Sequence, residues 1–111
     1  MKYEDTLQIE MLGEFSIRNE FNKFPQETKK SMRVIMLIAY LIVNRTTLTN
    51  KARLMEILWP NNSADNPEGA LRNLVYRARL ELKKFFPGEN VECILSKSNS
   101  YIWNSELHCE I

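Results

Sequence analysis

Ten consecutive apolar residues, Val34 to Val43 (VIMLIAYLIV), constrain the fold more than any other stretch of the chain. A run of that length is about half of what a membrane-spanning helix requires, so a bilayer is not its expected environment. It must be covered by the remainder of a 111-residue chain, which is long enough for one core and too short for a two-domain enzyme. Its apolar residues surround the helix axis instead of forming a stripe, which is the pattern of a helix buried on most sides. The spacing predicts this core helix over residues 28–44, with Met32 and Met36 as packing residues. Met55 in the next helical pattern is read the same way.

Other elements supply the cover. Leu7, Ile9 and Met11 alternate with Gln8 and Glu10, Gly13 interrupts the run, and Phe15 and Ile17 then alternate with Ser16 and Arg18. A period of two marks strands of a half-buried antiparallel sheet. Asn22 to Phe24 adds a short third strand before Pro25, giving a β-meander over 7–24. Downstream, Thr49 or Asn50 can cap a second helix whose Leu54, Ile57 and Leu58 sit at i, i+3 and i+4, and Trp59-Pro60 ends it. After a polar loop, residues 60–66, the third helix has a clear start: Asn66 as N-cap, Pro67 at the first helical position, and Glu68 at the positive end of the helix dipole. It is expected to run to Phe85 or Phe86, where Pro87-Gly88 stops it. The three helices form a core over 28–86. The tail predicts a hairpin over 91–104, with strands 92–97 and 101–104 around a Ser98-Asn99-Ser100 turn. Trp59 and Trp103 are read as core residues. The fold class is α+β.

Charge is distributed unevenly although the formal total is only +1. Residues 1–65 carry nine Lys/Arg against eight Asp/Glu, residues 66–86 five against two, and residues 87–111 one against four. The positive excess therefore lies on the third helix. Stepping about 100° per residue places Leu71, Leu74, Val75, Ala78, Leu82 and Phe85 on one side, which is the core face. Gly69, Asn73, Tyr76, Arg77, Leu80 and Lys84 lie opposite, with Arg72, Arg79 and Lys83 on a flank. A helix needing only solubility could mix Lys with Glu, yet Glu81 is its sole acid after Glu68. Arg and Asn hydrogen-bond base edges in a bidentate manner, whereas Lys mostly meets phosphate as a point charge. Arg72, Asn73, Tyr76 and Arg77 in the first half of the helix are accordingly the candidates for reading bases in a major groove. Arg79, Lys83 and Lys84, with Lys51 and Arg53 at the start of the second helix, are the candidates for phosphate contact. Lys29, Lys30 and Arg33 fit either phosphate contact or plain solvent exposure. Three helices followed by a hairpin suggest a winged helix, with Lys97, Ser98 and Asn99 at the wing tip.

Several function classes are not expected. Cys93 and Cys109 are in no metal-ligand or redox spacing and are read as free thiols, with a Cys93–Cys109 disulfide as the alternative. His108 is the only histidine, and no nucleophile–base motif, phosphate-binding glycine loop or paired carboxylate is recognisable. No enzyme activity, cofactor, metal or small-molecule substrate is expected. No stretch suits a signal peptide or a membrane span, so the expected location is cytoplasmic.

The segments LQIEMLGEFSIRN, LMEILWPN, ALRNLVYRARLEL and ILSKSNSYIWN together resemble the OmpR/PhoB-type winged helix, particularly the version that opens bacterial activators of the antibiotic-regulatory type carrying a bacterial transcriptional activator domain. The resemblance covers about residues 7 to 110. Its most specific elements are Leu12-Gly13 with Phe15, Leu58-Trp59-Pro60, and Leu71-Arg72 followed by Val75 and Arg77-Ala78-Arg79. It implies a four-stranded antiparallel N-terminal sheet, a three-helix core, and a hairpin wing at the minor groove. It also implies duplex DNA with direct repeats as ligand, a second copy bound head to tail, and RNA polymerase contact through the loop at Asn61, Asn62, Ser63 and Asp65. Two departures stand out: Ser100 occupies the place of the family's Gly before the wing aromatic, and Ala78 replaces the usual Leu. Residues 105–111 then look like the start of a linker to a further domain. The competing reading is a winged-helix interaction module whose basic helix docks on an acidic protein surface.

Overall fold

The computed structural model describes residues 6–26 and 32–111. Two hairpin-forming strands open the chain, β1 (Leu7–Glu10) and β2 (Ser16–Arg18), antiparallel with Ile9 opposite Ile17. Alternation decides their faces: Leu7, Ile9 and Ile17 are buried while Gln8, Glu10 and Arg18 point to solvent. Gly13 takes φ +79 in the connecting turn, a backbone conformation a side chain would strain. β3 (Lys23–Phe24) adds antiparallel to β2 and buries Phe24.

The sheet has a fourth strand that the alternation did not reveal. β7 (Cys109–Glu110) lies parallel to β1, with Leu7 beside Cys109, and the Leu7 N–H donates to the His108 carbonyl at 2.9 Å. The order is β3-β2-β1-β7. One expectation is corrected by this: the first sheet is mixed instead of wholly antiparallel. Residues 105–111, read as the start of a linker, hold a two-residue paired strand at Cys109–Glu110.

α1 (Met32–Val43) is the central helix. Its expected first turn at 28–31, with Lys29 and Lys30, lies outside the described residues. Val34, Leu37, Ile38, Leu41 and Ile42 are buried, and Ile35 and Tyr40 pack at the margin of the core. Met32, Met36 and Val43 are exposed, so the helix buries one side and not most sides. A run in which every residue is apolar satisfies the core whichever side faces it, and the pattern alone cannot say which methionines stay outside. Met55 does pack against the core, as do Trp59 at its edge and Trp103 in its interior.

α2 (Lys51–Leu58) is capped by Asn50, whose side chain accepts the Arg53 N–H at 2.8 Å. Arg33 of α1 closes its other end, donating Nε to the Leu58 carbonyl at 2.8 Å while its guanidinium lies 5.3 Å from the Trp59 ring. That contact makes Arg33 a cap for the last turn of α2. A single 3-10 turn, Pro60–Asn62, follows. α3 (Pro67–Lys83) starts as its sequence predicts, with Asn66 accepting the Gly69 N–H at 3.2 Å. It ends a little earlier than expected, because Phe85 and Phe86 donate to Leu82 and Lys83, three residues back, in tighter turns that bury both rings.

The tail hairpin is β5 (Ile94–Lys97) and β6 (Ser100–Trp103), with Lys97 opposite Ser100. The turn is therefore two residues long, Ser98-Asn99, and Ser100 is a buried strand residue whose hydroxyl donates to the Ser98 carbonyl. A two-residue strand, β4 (Thr49–Asn50), pairs with β6 to complete a second sheet in the order β4-β6-β5. The observed architecture is thus an α+β domain of three helices and two small sheets. Among the described residues, no helix is long and apolar enough to cross a membrane.

Two measurements follow from these packing details. Ser98 and Asn99 both hold positive φ, 51° and 58°, the pairing a twisted two-residue hairpin demands and one that suits Asn or Gly far better than Ser. Ser98→Gly is expected to raise stability by about 0.5–1 kcal/mol, read as a higher thermal midpoint, and Asn99→Val to lower it by a similar amount. Burial beside Cys109 and Glu92 pushes the Cys93 thiol up from 9.0 to about 12. An acid whose folded value is raised keeps its proton in the fold while the unfolded chain loses it, so stability should fall as pH rises from 9 toward about 12. Urea midpoints taken across that window should drop less steeply in Cys93→Ala than in the unaltered chain.

Candidate nucleic-acid interface

The core decides which side of α3 looks outward. Leu71, Leu74, Val75, Ala78 and Leu82 are all buried, and α1 and α2 both pack on this side. With 3.6 residues per turn, the residues between them must turn away. Arg72, Asn73, Arg77, Lys83 and Lys84 are exposed, as are Tyr76 at 60% and Leu80 at 46%. Among the described residues no carboxylate pairs with Arg72 or Arg77. Lys84 is the exception on this side, lying 3.4 Å from Glu81.

Arg79 behaves differently from its neighbours. Its guanidinium donates twice to the Ile94 carbonyl, at 3.1 and 2.8 Å, and once to the Ser96 hydroxyl at 3.0 Å. It also stands 3.9 Å from a Glu92 carboxylate oxygen and 5.9 Å from the centre of the Tyr101 ring. All of these partners belong to the hairpin or the residues leading into it, so Arg79 is a brace between α3 and the second sheet. The sequence placed it among the phosphate candidates; in the structure its Nε and one terminal nitrogen bond to the hairpin while its charge stays at the edge of α3. A flank position on the helix tells only that the side chain leaves the core, and not that a strand will return beside it.

Lys51 is joined to the same region. Its ammonium lies 5.4 Å from the Tyr101 ring centre, and its backbone N–H donates to the Asn99 carbonyl at 3.1 Å. The start of α2 is thereby tied to the hairpin tip. Lys51, Arg72, Arg79, Asn99 and Tyr101 surround an open cleft of about 440 Å³ between α2, α3 and the tip, with Glu68 as its one carboxylate. Three cations on a concave surface make a site suited to an anion. Lys97, Ser98 and Asn99 are exposed at the tip next to it.

The remaining candidates stand apart from that cleft. Arg53 turns toward Tyr40 of α1 and lies 3.6 Å from Glu56, its side chain exposed. Asn61, Ser63 and Asp65 lie in the loop between α2 and α3, all three exposed, with Asn61 in a left-handed conformation at φ 61°. The Asn62 side chain lies outside the described residues. What the sequence missed altogether is the aromatic hub: Tyr101, buried in β6, holds a cation near its ring from both α2 and α3. The resemblance marked the aromatic only as part of the wing.

No protein-family model, no curated protein and no solved structure matches this chain.

The brace carries its own expected outcome. Arg79→Ala removes three donors from a carbonyl and a hydroxyl and should cost about 1–3 kcal/mol in denaturant unfolding. Amide exchange within Ile94–Trp103 should speed up more than exchange in α1. Arg79→Lys keeps the charge but cannot bridge Ile94 and Ser96 at once, and should recover less than half of the loss.

Proposed function

We propose that the chain is a winged-helix domain of the OmpR/PhoB type that binds duplex DNA in a bacterial transcription activator. The observation that carries this reading is the outward face of α3, where Arg72, Asn73, Tyr76 and Arg77 stand exposed in the first part of the helix and neither arginine is neutralised by a carboxylate among the described residues. A basic helix that served only to dissolve the domain would gain from interleaved acids; this one presents donors with the fork geometry that base edges and phosphates accept.

In this reading α3 enters the major groove with Arg72, Asn73, Tyr76 and Arg77 toward the bases. Lys83, Lys84 and Lys51 meet phosphates on either side, and the hairpin tip at Lys97, Ser98 and Asn99 follows the adjacent minor groove. The brace at Arg79 keeps the tip at a set angle to α3, so one protein surface spans two grooves. The resemblance adds three further elements to the proposal: direct repeats as the operator form, a second copy bound head to tail, and an RNA polymerase contact at the 60–66 loop.

Phosphate contacts and base contacts separate experimentally. With Lys51, Lys83, Lys84 and Lys97 each meeting a phosphate, the logarithm of the binding constant should fall against the logarithm of salt concentration with a slope of about −3.6. Lys83→Ala should weaken all duplexes alike and reduce that slope by about one. Arg77→Ala should cost about 1–3 kcal/mol on a selected site and much less on random duplex. Mobility-shift titration decides the matter: a chain that retains no duplex even at low salt sinks this reading and leaves the interaction module with an acidic protein partner.

A further inference from the structure

We infer that the DNA face distinguishes thymine by its methyl group, with Leu80 and the ring of Tyr76 as the reading side chains; the inference rests on the DNA-binding reading above. Tyr76 is 60% and Leu80 46% exposed, and both belong to the side of α3 opposite its buried face. A separation of four residues places them one above the other on the helix surface. Asn73 adjoins them on the N-terminal side, Arg77 stands between them along the helix, and Lys84 lies on the C-terminal side. The two largest apolar groups of the outward face therefore lie inside the cationic patch and not at its margin.

That placement limits what they can meet. A helix drawn onto a polyanion by its flanking cations presses its central side chains against whatever lies between the phosphate rows. On the major-groove floor the base edges present donors, acceptors and the small C5–H of cytosine, and the one bulky apolar group among them is the C5-methyl of thymine. Leucine has no polar atom to offer. Seated against a cytosine amine or a guanine carbonyl, Leu80 strips water from a polar edge and returns no partner. Seated against a thymine methyl, it removes apolar surface of both groups from water. Attraction at thymine and a penalty at the other bases act in the same direction, which is how a side chain without hydrogen bonds becomes selective. The Tyr76 ring supplies the same kind of surface one turn earlier, about 6 Å along the axis, a reach of roughly two base-pair steps.

The test starts from a random-sequence duplex library and lets the chain select its own operator. Duplexes are enriched on the 111-residue chain, and each thymine of the enriched site is then replaced singly by deoxyuridine, which removes the methyl and leaves pairing unchanged. Two positions should each lose about fourfold in affinity, the worth of one buried carbon. The loss at one of them should disappear in Leu80→Ala and the other in Tyr76→Ala, while discrimination elsewhere in the site persists. Uracil tolerated at every position overturns the inference and leaves DNA binding standing; so does a thymine dependence that both variants retain in full. Failure to retain any duplex removes the DNA-binding reading and this inference with it. Both side chains are exposed, so the variants should melt within a few degrees of the unaltered chain, and if one does not fold the other still decides: a uracil loss that it leaves untouched at every position overturns its share of the reading.

Discussion

The apolar side of α3 rests on α1 and α2, and that contact places everything on its other side. Leu71, Leu74, Val75, Ala78 and Leu82 meet a core to which α1 contributes Val34, Leu37, Ile38, Leu41 and Ile42. Rotation of α3 about its axis would expose part of this surface to water at a cost of about 25 cal/mol per Å². The orientation of Arg72, Asn73 and Arg77 is therefore a by-product of apolar burial, and no polar contact of their own is needed to hold them outward. Ala78 sits in the middle of the packed face and is fully buried, which shows that the smaller residue at this position still belongs to the core.

A second level of order comes from Arg79 and Tyr101. The hairpin could lean in several directions from its base, but two guanidinium bonds to one carbonyl and a third to a hydroxyl set its inclination to α3. Lys51 reaches Tyr101 from α2 and its backbone is bonded to the hairpin turn at Asn99. Three separate segments thus converge on one aromatic ring, and the cationic surface is assembled from them as a unit.

How much of this is legible in the residues alone depends on length and on which partner fixes each element. The start and buried face of α3 are plain, because Asn66, Pro67 and Glu68 act locally and the apolar period extends over most of the helix. β1 and β2 are equally plain from alternation. β4 and β7 are not, since two residues carry no period, and each exists only because a distant strand offers a ladder: β6 for Thr49–Asn50 and β1 for Cys109–Glu110. The hairpin turn reads one residue too long, because Ser98-Asn99 and Ser98-Asn99-Ser100 have the same composition of turn formers and only the Lys97–Ser100 register separates them. Of the site, the exposed quartet on α3 is legible and the neighbours that Arg79 and Arg53 meet are not. Helical spacing gives the direction in which a long cation leaves the backbone; its destination depends on tertiary neighbours.

The parallel pairing of β7 with β1 has a kinetic meaning. It joins Leu7 to Cys109 across nearly the whole chain, so the loop it closes is longer than that of any other strand pair described, and loop closure is entropically dearest for such contacts. Helices α1 to α3 and the hairpin form from nearer neighbours in the chain. During ribosomal synthesis the first sheet must wait with one edge open until its last strand emerges, so completion of that edge is the step that reports arrival of residue 110.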